Sequence, residues 1–433
     1  MSTAEQPEFS WRSIVLPVYL PTFVFSIGEG ALIPIIPIVA ADRGASLALA
    51  GLIAAMIMVG ELCGDLPAGW IVSRVGERAA MIGSAVLASA GVLLALFVPT
   101  VWALGVGVFL IGFATAAFGL ARHAFLTSYA PARVRARALS TLGGVFRGGW
   151  AVGPFLSAAI ITATGGTDGV FWVLVAACAA VIVVLAFLPD PERVFGAARL
   201  ARAASVEREA SVADPATDQA TDAAPGAPAP ARPVGVFRTI RDHAGVLARI
   251  GTGVGILAAL RSARTVMLPL WSVSIDMPAE QAALVIGLSG AIDFALFYTS
   301  GQIMDRFGRL WGALPGMIGM SVGHVVLAFT HDVPGAVAWF TVVALLLGLA
   351  NGVTSGIVMT LGADLAPKSG PAPFLGAFRM IADAGSAGAP LAIAAVTSVL
   401  SIMAANVVVG VLGLAGAAML WRWIPRYVPH RRR

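Results

Sequence analysis

Charge is scarce in this sequence: only 12% of its 433 residues are Asp, Glu, Lys or Arg. A soluble domain carries roughly 25%, so a surface turned wholly to water is excluded. Cysteine is scarcer still. Cys63 and Cys178 both lie in apolar runs without metal-ligand spacing, which excludes a disulfide framework and a thiolate metal site. A glycine loop ending in Lys, which would cradle nucleotide phosphates, is also missing, as is any nucleophile–base or paired metal-ligand cluster. No metal or cofactor is expected, direct use of ATP has no support, and an enzyme has no site.

Apolar residues fill the space: 58% of the chain, with a mean hydropathy of +0.88. A helix crosses a hydrocarbon layer of about 30 Å with about 20 residues, and twelve runs are long enough. In the first half they are Ile14–Val39, Leu47–Val72, Ala79–Val98, Val101–Tyr129, Ala138–Thr162 and Val170–Leu188. In the second half they are Val246–Ile275, Ala282–Met304, Leu310–Phe329, Ala336–Leu361, Phe374–Val396 and Ser401–Trp423. The runs are continuously apolar, with none of the alternation of barrel strands, so an all-α membrane protein of twelve transmembrane helices is expected. The first run contains Glu29 and is too long for a cleaved signal peptide, so it reads as a retained helix.

The isoelectric point near 9.8 is a matter of topology and does not point to nucleic acid. Loops after even-numbered runs hold Arg74, Arg78, Arg133, Arg135, Arg137, Arg306, Arg309 and Lys368, and the carboxyl end adds Arg422, Arg426 and Arg431–Arg433. The opposite loops hold Arg43 among Asp42, Asp168, Asp276, Glu280 and Asp332. The positive-inside rule then places both termini in the cytoplasm of a bacterial inner (plasma) membrane. Between the halves the apolar pattern stops, and residues 189–243, rich in Pro, Ala, Asp and Arg, read as a flexible cytoplasmic linker. The division is residues 1–188, an N-terminal six-helix bundle, the linker, and residues 244–433, a C-terminal six-helix bundle.

The halves repeat. Pro37 and Pro269, Glu61 and Asp293, Gly69 and Gly301, Arg74 and Arg306, and Gly76 and Gly308 share an offset of 232 residues. Gly112 and Gly348, Pro131 and Pro367, and Pro154 and Pro390 share an offset of 236. Within this repeat Gly301-Gln-Ile-Met-Asp305-Arg306-Phe-Gly308-Arg309 resembles the loop signature between helices two and three of the major facilitator superfamily. Its first-half counterpart, Gly69 to Arg78, carries Ser73 where the family has an acid. The run Gly148-Gly149-Trp-Ala-Val-Gly153-Pro154 resembles the glycine–proline signature of the twelve-helix drug–proton antiporters. Ser157 and Ala158 stand where that group has paired glycines, and Val108 replaces its arginine in the fourth helix. The resemblance implies two pseudo-symmetric bundles with a substrate path between them near mid-membrane. It also implies a loop lock that is weaker in the first half, where Ser73 offers only a neutral hydrogen bond.

Ionisable groups inside the runs carry the chemistry: Glu29, Glu61, Asp65, Arg122, His123, Arg147, Arg261, Arg264, Asp293, His324, Arg379 and Asp383. Each costs about 3 kcal/mol or more in hydrocarbon, so they must pair or meet water. In the repeat Glu29 corresponds to Arg261, and Arg147 to Asp383, with signs exchanged. The family's packing of helix two on eleven and five on eight then predicts Arg147–Asp293 and Glu61–Arg379, with Asp383 beside it, as interdomain pairs closing the cytoplasmic side. The alternative is that each charge is neutralised within one bundle. Glu29, between Gly28 and Gly30 in the first helix, is the candidate proton carrier; the competing reading is a permanent ion pair with Arg261 or Arg264. Arg122, Arg261 and Arg264 either favour an anionic substrate or neutralise nearby acids. His123 and His324 read as satisfied interior histidines, and Asn351 as a hydrogen-bonding group of the tenth helix. Prolines 34, 37, 154, 269 and 390 are expected to kink their helices.

The expectation is a monomeric secondary transporter that exports small organic molecules in exchange for protons by alternating access. The alternative is a proton-coupled metabolite uptake symporter. A non-transporting membrane sensor has less support, since no large domain stands outside the runs.

Overall fold

The computed structural model describes residues 15–129, 132–187, 240–367 and 372–428. The linker up to residue 239, Lys368 and Arg431–Arg433 lie outside them. Twelve helices are long and apolar enough to span a bilayer. In chain order they are α1 (Val15–Asp42), α2 (Leu47–Val75), α3 (Glu77–Phe97), α4 (Val101–Tyr129), α5 (Ala132–Thr164) and α6 (Asp168–Phe187). The second six are α7 (Ala244–Ser274), α8 (Ala279–Phe307), α9 (Arg309–Ala328), α10 (Ala336–Leu365), α11 (Ala372–Val399) and α12 (Ile402–Tyr427). The apolar outer surface explains why these segments stay helical in lipid. Leu66 is 88% exposed and Phe187 is 84% exposed, which only a hydrocarbon solvent makes favourable, and a helix satisfies its own backbone there.

Boundaries differ from the sequence reading where a charged turn continues the helix. The fifth span begins at Ala132 and not Ala138, and α8 runs on to Phe307, taking in Asp305 and Arg306. The tenth span differs in kind. It is interrupted by a turn at Thr354–Gly356, where Gly356 has φ 80°, and then resumes as Ile357–Leu365. The Ser300 hydroxyl donates to the Ser355 carbonyl, meeting a backbone group that the break frees. In α1 the expected proline break is a 3-10 turn at Ile33–Ile35, around Pro34. Pro154, Pro269 and Pro390 sit inside helices that continue past them.

The repeat recurs as geometry. Gly76 and Gly308 both have positive φ, 82° and 95°, and each forms a one-residue joint between two helices. Gly112 lies against the Ile57 carbonyl and Gly348 against the Ser289 carbonyl, and these neighbours again stand 232 residues apart. The two six-helix sets meet along α5 with α8, α2 with α11, and α1 with α7. Cross-set contacts lie from mid-depth toward the face opposite the linker: Gly51 faces Leu270 and Ala394, and Gly287 faces Pro154 and Phe155. Toward the linker face Asp65 is exposed, and the side chains of Arg379 and Asp383 are 67% and 38% exposed. Charges that open within membrane helices require water, so the interface is a cleft open on the linker side.

Candidate functional site

Two polar clusters occupy the middle of the helices. The first is built around Glu29, which is fully buried in α1. The Thr115 hydroxyl of α4 donates to Oε1 (2.9 Å), and the Trp150 indole N–H of α5 donates to Oε2 (2.9 Å). The close seat of α5 on α1 makes the second bond possible. A β-carbon on Gly153 would overlap the backbone of Gly30 and Ala31, and one on Gly149 would press on Ser26 and Phe23. The Ser157 hydroxyl donates to the Ala31 carbonyl (2.5 Å) and fixes the same contact. The two glycines of the run, Gly149 and Gly153, are therefore what bring Trp150 to the carboxylate, while Pro154 lies against Gly287 of α8.

Arg122 of α4 is 7% exposed, and its charge reaches both Glu29 and Glu61. It lies over the Phe146 ring (4.6 Å) and near Phe118 (5.9 Å), while its Nε and Nη1 have no hydrogen-bond partner. Arg261 and Arg264 do not pair with Glu29. His123 Nδ1 meets the Gly119 carbonyl (2.7 Å) and His324 Nδ1 meets Asn406 (2.8 Å), which satisfies one ring nitrogen of each histidine.

The second cluster surrounds Asp293 of α8. Arg147 Nη1 stands 3.3 Å from its Oδ1 and, at 3.1 Å, donates to the Ser355 hydroxyl in the α10 break. The Asn351 amide of α10 donates to Oδ2 (2.7 Å), and Arg264 of α7 approaches the same oxygen to 3.8 Å. Arg264 also donates to Ser289 (2.9 Å), whose hydroxyl passes the chain to the Ala344 carbonyl (2.5 Å). Arg261 lies within the field of Arg147, Asp293 and Arg264. The structure thus brings together Arg147 and Asp293 from opposite halves, but it does so with the cleft open on the linker side, so the pair ties the halves at mid-depth and does not close that side as expected.

The other expected pair does not form. Arg379 pairs with Asp383 one turn along its own helix (3.4 Å), and no ion pair joins it to Glu61 among the described residues. The reason is geometric: α2 and α11 meet near Gly51 and Ala394 but face open water at the depth of Arg379, so the local i,i+4 acid is the nearer partner. Glu61 is left in the field of Glu29, Asp65, Asp383 and Arg122.

The loop signatures differ between halves as their residues dictate. Arg309 Nε pairs with Asp364 at the end of α10 (2.7 Å) and its Nη1 with Asp305 (3.3 Å). In the first half the Ser73 hydroxyl turns back to the Trp70 carbonyl (2.8 Å), Arg74 lies over the Trp70 ring, and Arg78 reaches the Ala186 carbonyl (2.9 Å). Among the described residues of the two signatures, the ion pairs are those of Arg309 in the second half. Arg306 lies over Phe307, and Gly69 and Gly301 leave room without close neighbours.

Thr115, Trp150, Ser289 and Ser355 are site residues that sequence reasoning did not single out. A Trp directly after two glycines, three residues past a charge in an apolar run, was the available signal for one of them. Among the described residues no group of His, Cys, Asp and Glu is arranged to hold a metal ion.

In fold the chain is similar to a solved D-xylose–proton symporter, with a TM-score of 0.69 at 16% identity, covering 98% of this chain and 100% of that one. The inward-open xylose transporter of E. coli aligns with a TM-score of 0.67 at 16% identity over 97% of each chain. Its partially occluded inward-open form aligns with a TM-score of 0.63 at 16% identity over 96% of this chain and 99% of that one. In sequence, inositol transporter 4 of Arabidopsis thaliana is 30% identical over 142 residues, which is 32% of this chain and 24% of that protein. The aligned stretch thus spans about a quarter of that relative. The description of the Major Facilitator Superfamily matches residues 18–390, and the chain belongs to this superfamily of multi-pass membrane transporters.

Proposed function

We propose that the chain is a proton-coupled symporter that carries a small polar organic molecule into a bacterial cell by alternating access, with both termini cytoplasmic. The observation that carries this reading is the setting of Glu29. Its carboxylate is buried at the middle of α1, held by two neutral donors, and joined to no cation by an ion pair among the described residues. A buried carboxylate without an ion partner is costly unless it takes up a proton. Thr115 serves both forms, since a hydroxyl donates to the carboxylate and accepts from the acid. Glu29 can therefore load and release a proton without rebuilding its surroundings. Glu61, Asp65 and Asp383 line the open side of the cleft and supply a route for that proton toward the linker face. Arg147 and Asp293 are the contact between halves that must part when the cleft reverses.

Uptake is favoured over export for two reasons. The neighbours in fold include a xylose–proton symporter and a sequence relative is an inositol transporter, so a polyhydroxylated solute moving together with protons has precedent. The glycine–proline run, on which the expectation of drug–proton antiport rests, is accounted for by the close packing of α5 on α1. The test is uptake of labelled xylose, myo-inositol and a wider metabolite panel into proteoliposomes. Symport requires accumulation under an outside-acid gradient, alkalinisation of the outside medium when substrate is added, and loss of both with an uncoupler. Solute leaving as protons enter restores the export reading.

A further inference from the structure

Three guanidiniums gather around one carboxylate at the centre of the second cluster. Both oxygens of Asp293 are already engaged, Oδ1 by Arg147 and Oδ2 by the Asn351 amide. Arg264 stays 3.8 Å away, beyond hydrogen-bond range, and its Nε has no partner although the residue is only 8% exposed. Arg261, one turn earlier on α7, forms no hydrogen bond or ion pair among the described side chains, and the nearest charges acting on it are Arg147, Asp293 and Arg264. By count the cluster holds three guanidiniums and one carboxylate, a surplus of two positive charges beside the cleft. Such a surplus lining a cleft draws in an anion that enters it. The cluster is reachable, since the Arg147 side chain is 24% and the Asp293 side chain 15% exposed, and Phe297, over which Arg147 lies, supplies an apolar wall.

We propose that Arg261 and Arg264 form the recognition site for the carboxylate of an organic anion, which is the substrate class of this transporter. Arginine suits the task because its planar fork offers two parallel donors to the two oxygens of a carboxylate. Asp293 keeps the site selective. It holds Arg147 and orders Asn351 at hydrogen-bond distance, engages Arg264 only at 3.8 Å and Arg261 not at all, and it repels an anion that approaches from its own side. The proposal rests on the transporter reading above for the path but not on proton coupling, so the two can fail separately.

The test uses the full-length protein in detergent and in proteoliposomes. Thermal stability is measured with a panel of small carboxylates (lactate, benzoate, glucuronate), each beside its primary amide, and with glucose, xylose and glucose 6-phosphate. The expected result is that a carboxylate raises the unfolding midpoint and its amide does not. Arg261→Gln and Arg264→Gln should each weaken that carboxylate on the order of tenfold or more, the loss expected for a hydrogen bond to a charged group, while Arg261→Lys keeps part of the affinity. Arg241→Gln, exposed ahead of α7 and outside both clusters, should leave binding unchanged. The proposal is overturned if no carboxylate binds, if amides, neutral sugars or the phosphate ester bind as well as or better than carboxylates, or if the binding survives in both glutamine variants. A neutral sugar carried with protons would sink the anion site and leave symport standing. A carboxylate carried without response to the pH gradient would do the reverse.

Discussion

At the scale of single residues, the site is a contrast between one carboxylate with neutral partners and another with cationic ones. Glu29 and Asp293 are both acids at mid-helix, yet Thr115 and Trp150 serve the first while Arg147, Arg264 and Asn351 serve the second. On the proposed reading, only the first loses its charge during a cycle. Glu29→Gln keeps the size and the acceptor oxygen but removes the titrating group. It should abolish accumulation driven by a pH gradient while leaving substrate counterflow. One pH unit supports about tenfold accumulation at one proton per substrate, because about 1.4 kcal/mol is a factor of ten. Labelled counterflow beside gradient-driven uptake in the same vesicles decides this, and unchanged accumulation would remove Glu29 from the role. Trp150→Phe tests the scaffold instead. Loss of a hydrogen bond to a charged acceptor costs about 1.5–3 kcal/mol, which should appear as a lower unfolding midpoint and slower uptake. Glu29, Arg147 and Asp293 were legible in the sequence because a charge in an apolar run stands out. Thr115 and Trp150 were not, because Thr and Trp are ordinary members of membrane helices and acquire a role only when another helix delivers a carboxylate to them.

At the scale of elements, helix identity was legible and helix interruption was not. Run length and hydropathy locate all twelve spans, since the bilayer sets both. The break in α10 escaped because Thr354, Ser355 and Gly356 are small and apolar enough to pass inside a continuous helix. What opens the helix there is tertiary: Ser300 takes up the Ser355 carbonyl and Arg147 takes its hydroxyl. The glycine–proline run was recognised as a motif, but its physical use is the contact of α5 with α1. Gly153→Ala places a methyl into the backbone of Gly30 and Ala31, so the helices must separate. Overpacking of this kind costs about 1–3 kcal/mol, and it should also pull Trp150 from Glu29. Gly301→Ala, with no neighbour within reach of its β-carbon, should be neutral or stabilising by up to about 1 kcal/mol, the helix-propensity difference. Thermal unfolding of the two variants in the same detergent separates them. Equal midpoints would mean that close approach at Gly153 is unimportant.

At the scale of the whole molecule, the repeat explains why the two interfaces between halves behave differently. Under the offsets that align the halves, Arg147 corresponds to Asp383 and Asp293 to Glu61. The ion pair joining α5 to α8 therefore has two acids as its mate between α2 and α11. Such a mate cannot close the cleft while both acids are ionised, and Arg379, bound to Asp383 on its own helix, does not bridge it. One interface is held at mid-depth by opposite charge, and the other is left open to water on the linker side. This asymmetry was present in the sequence as signs at matched positions. The depth at which α2 and α11 diverge was not, because it depends on the tilt of whole bundles. The consequence is measurable by thiol labelling. In a Cys63→Ser background, which removes the exposed native thiol, Arg379→Cys should react rapidly with a water-soluble maleimide. Ala394→Cys should react slowly, since Ala394 is 6% exposed and faces Gly51 across the closed side. Arg147→Ala removes the ion pair between halves while leaving Asp293 its Asn351 and Arg264 partners. Breaking a buried pair in this way costs about 3–5 kcal/mol, and partial exposure here puts the loss at the lower end. With the tie gone, the bundles should part more easily on the closed side. The labelling rate at Ala394→Cys should then rise and that at Arg379→Cys should fall. If both rates stay as they are, the Arg147–Asp293 pair is a static neutralisation and the halves are held together elsewhere.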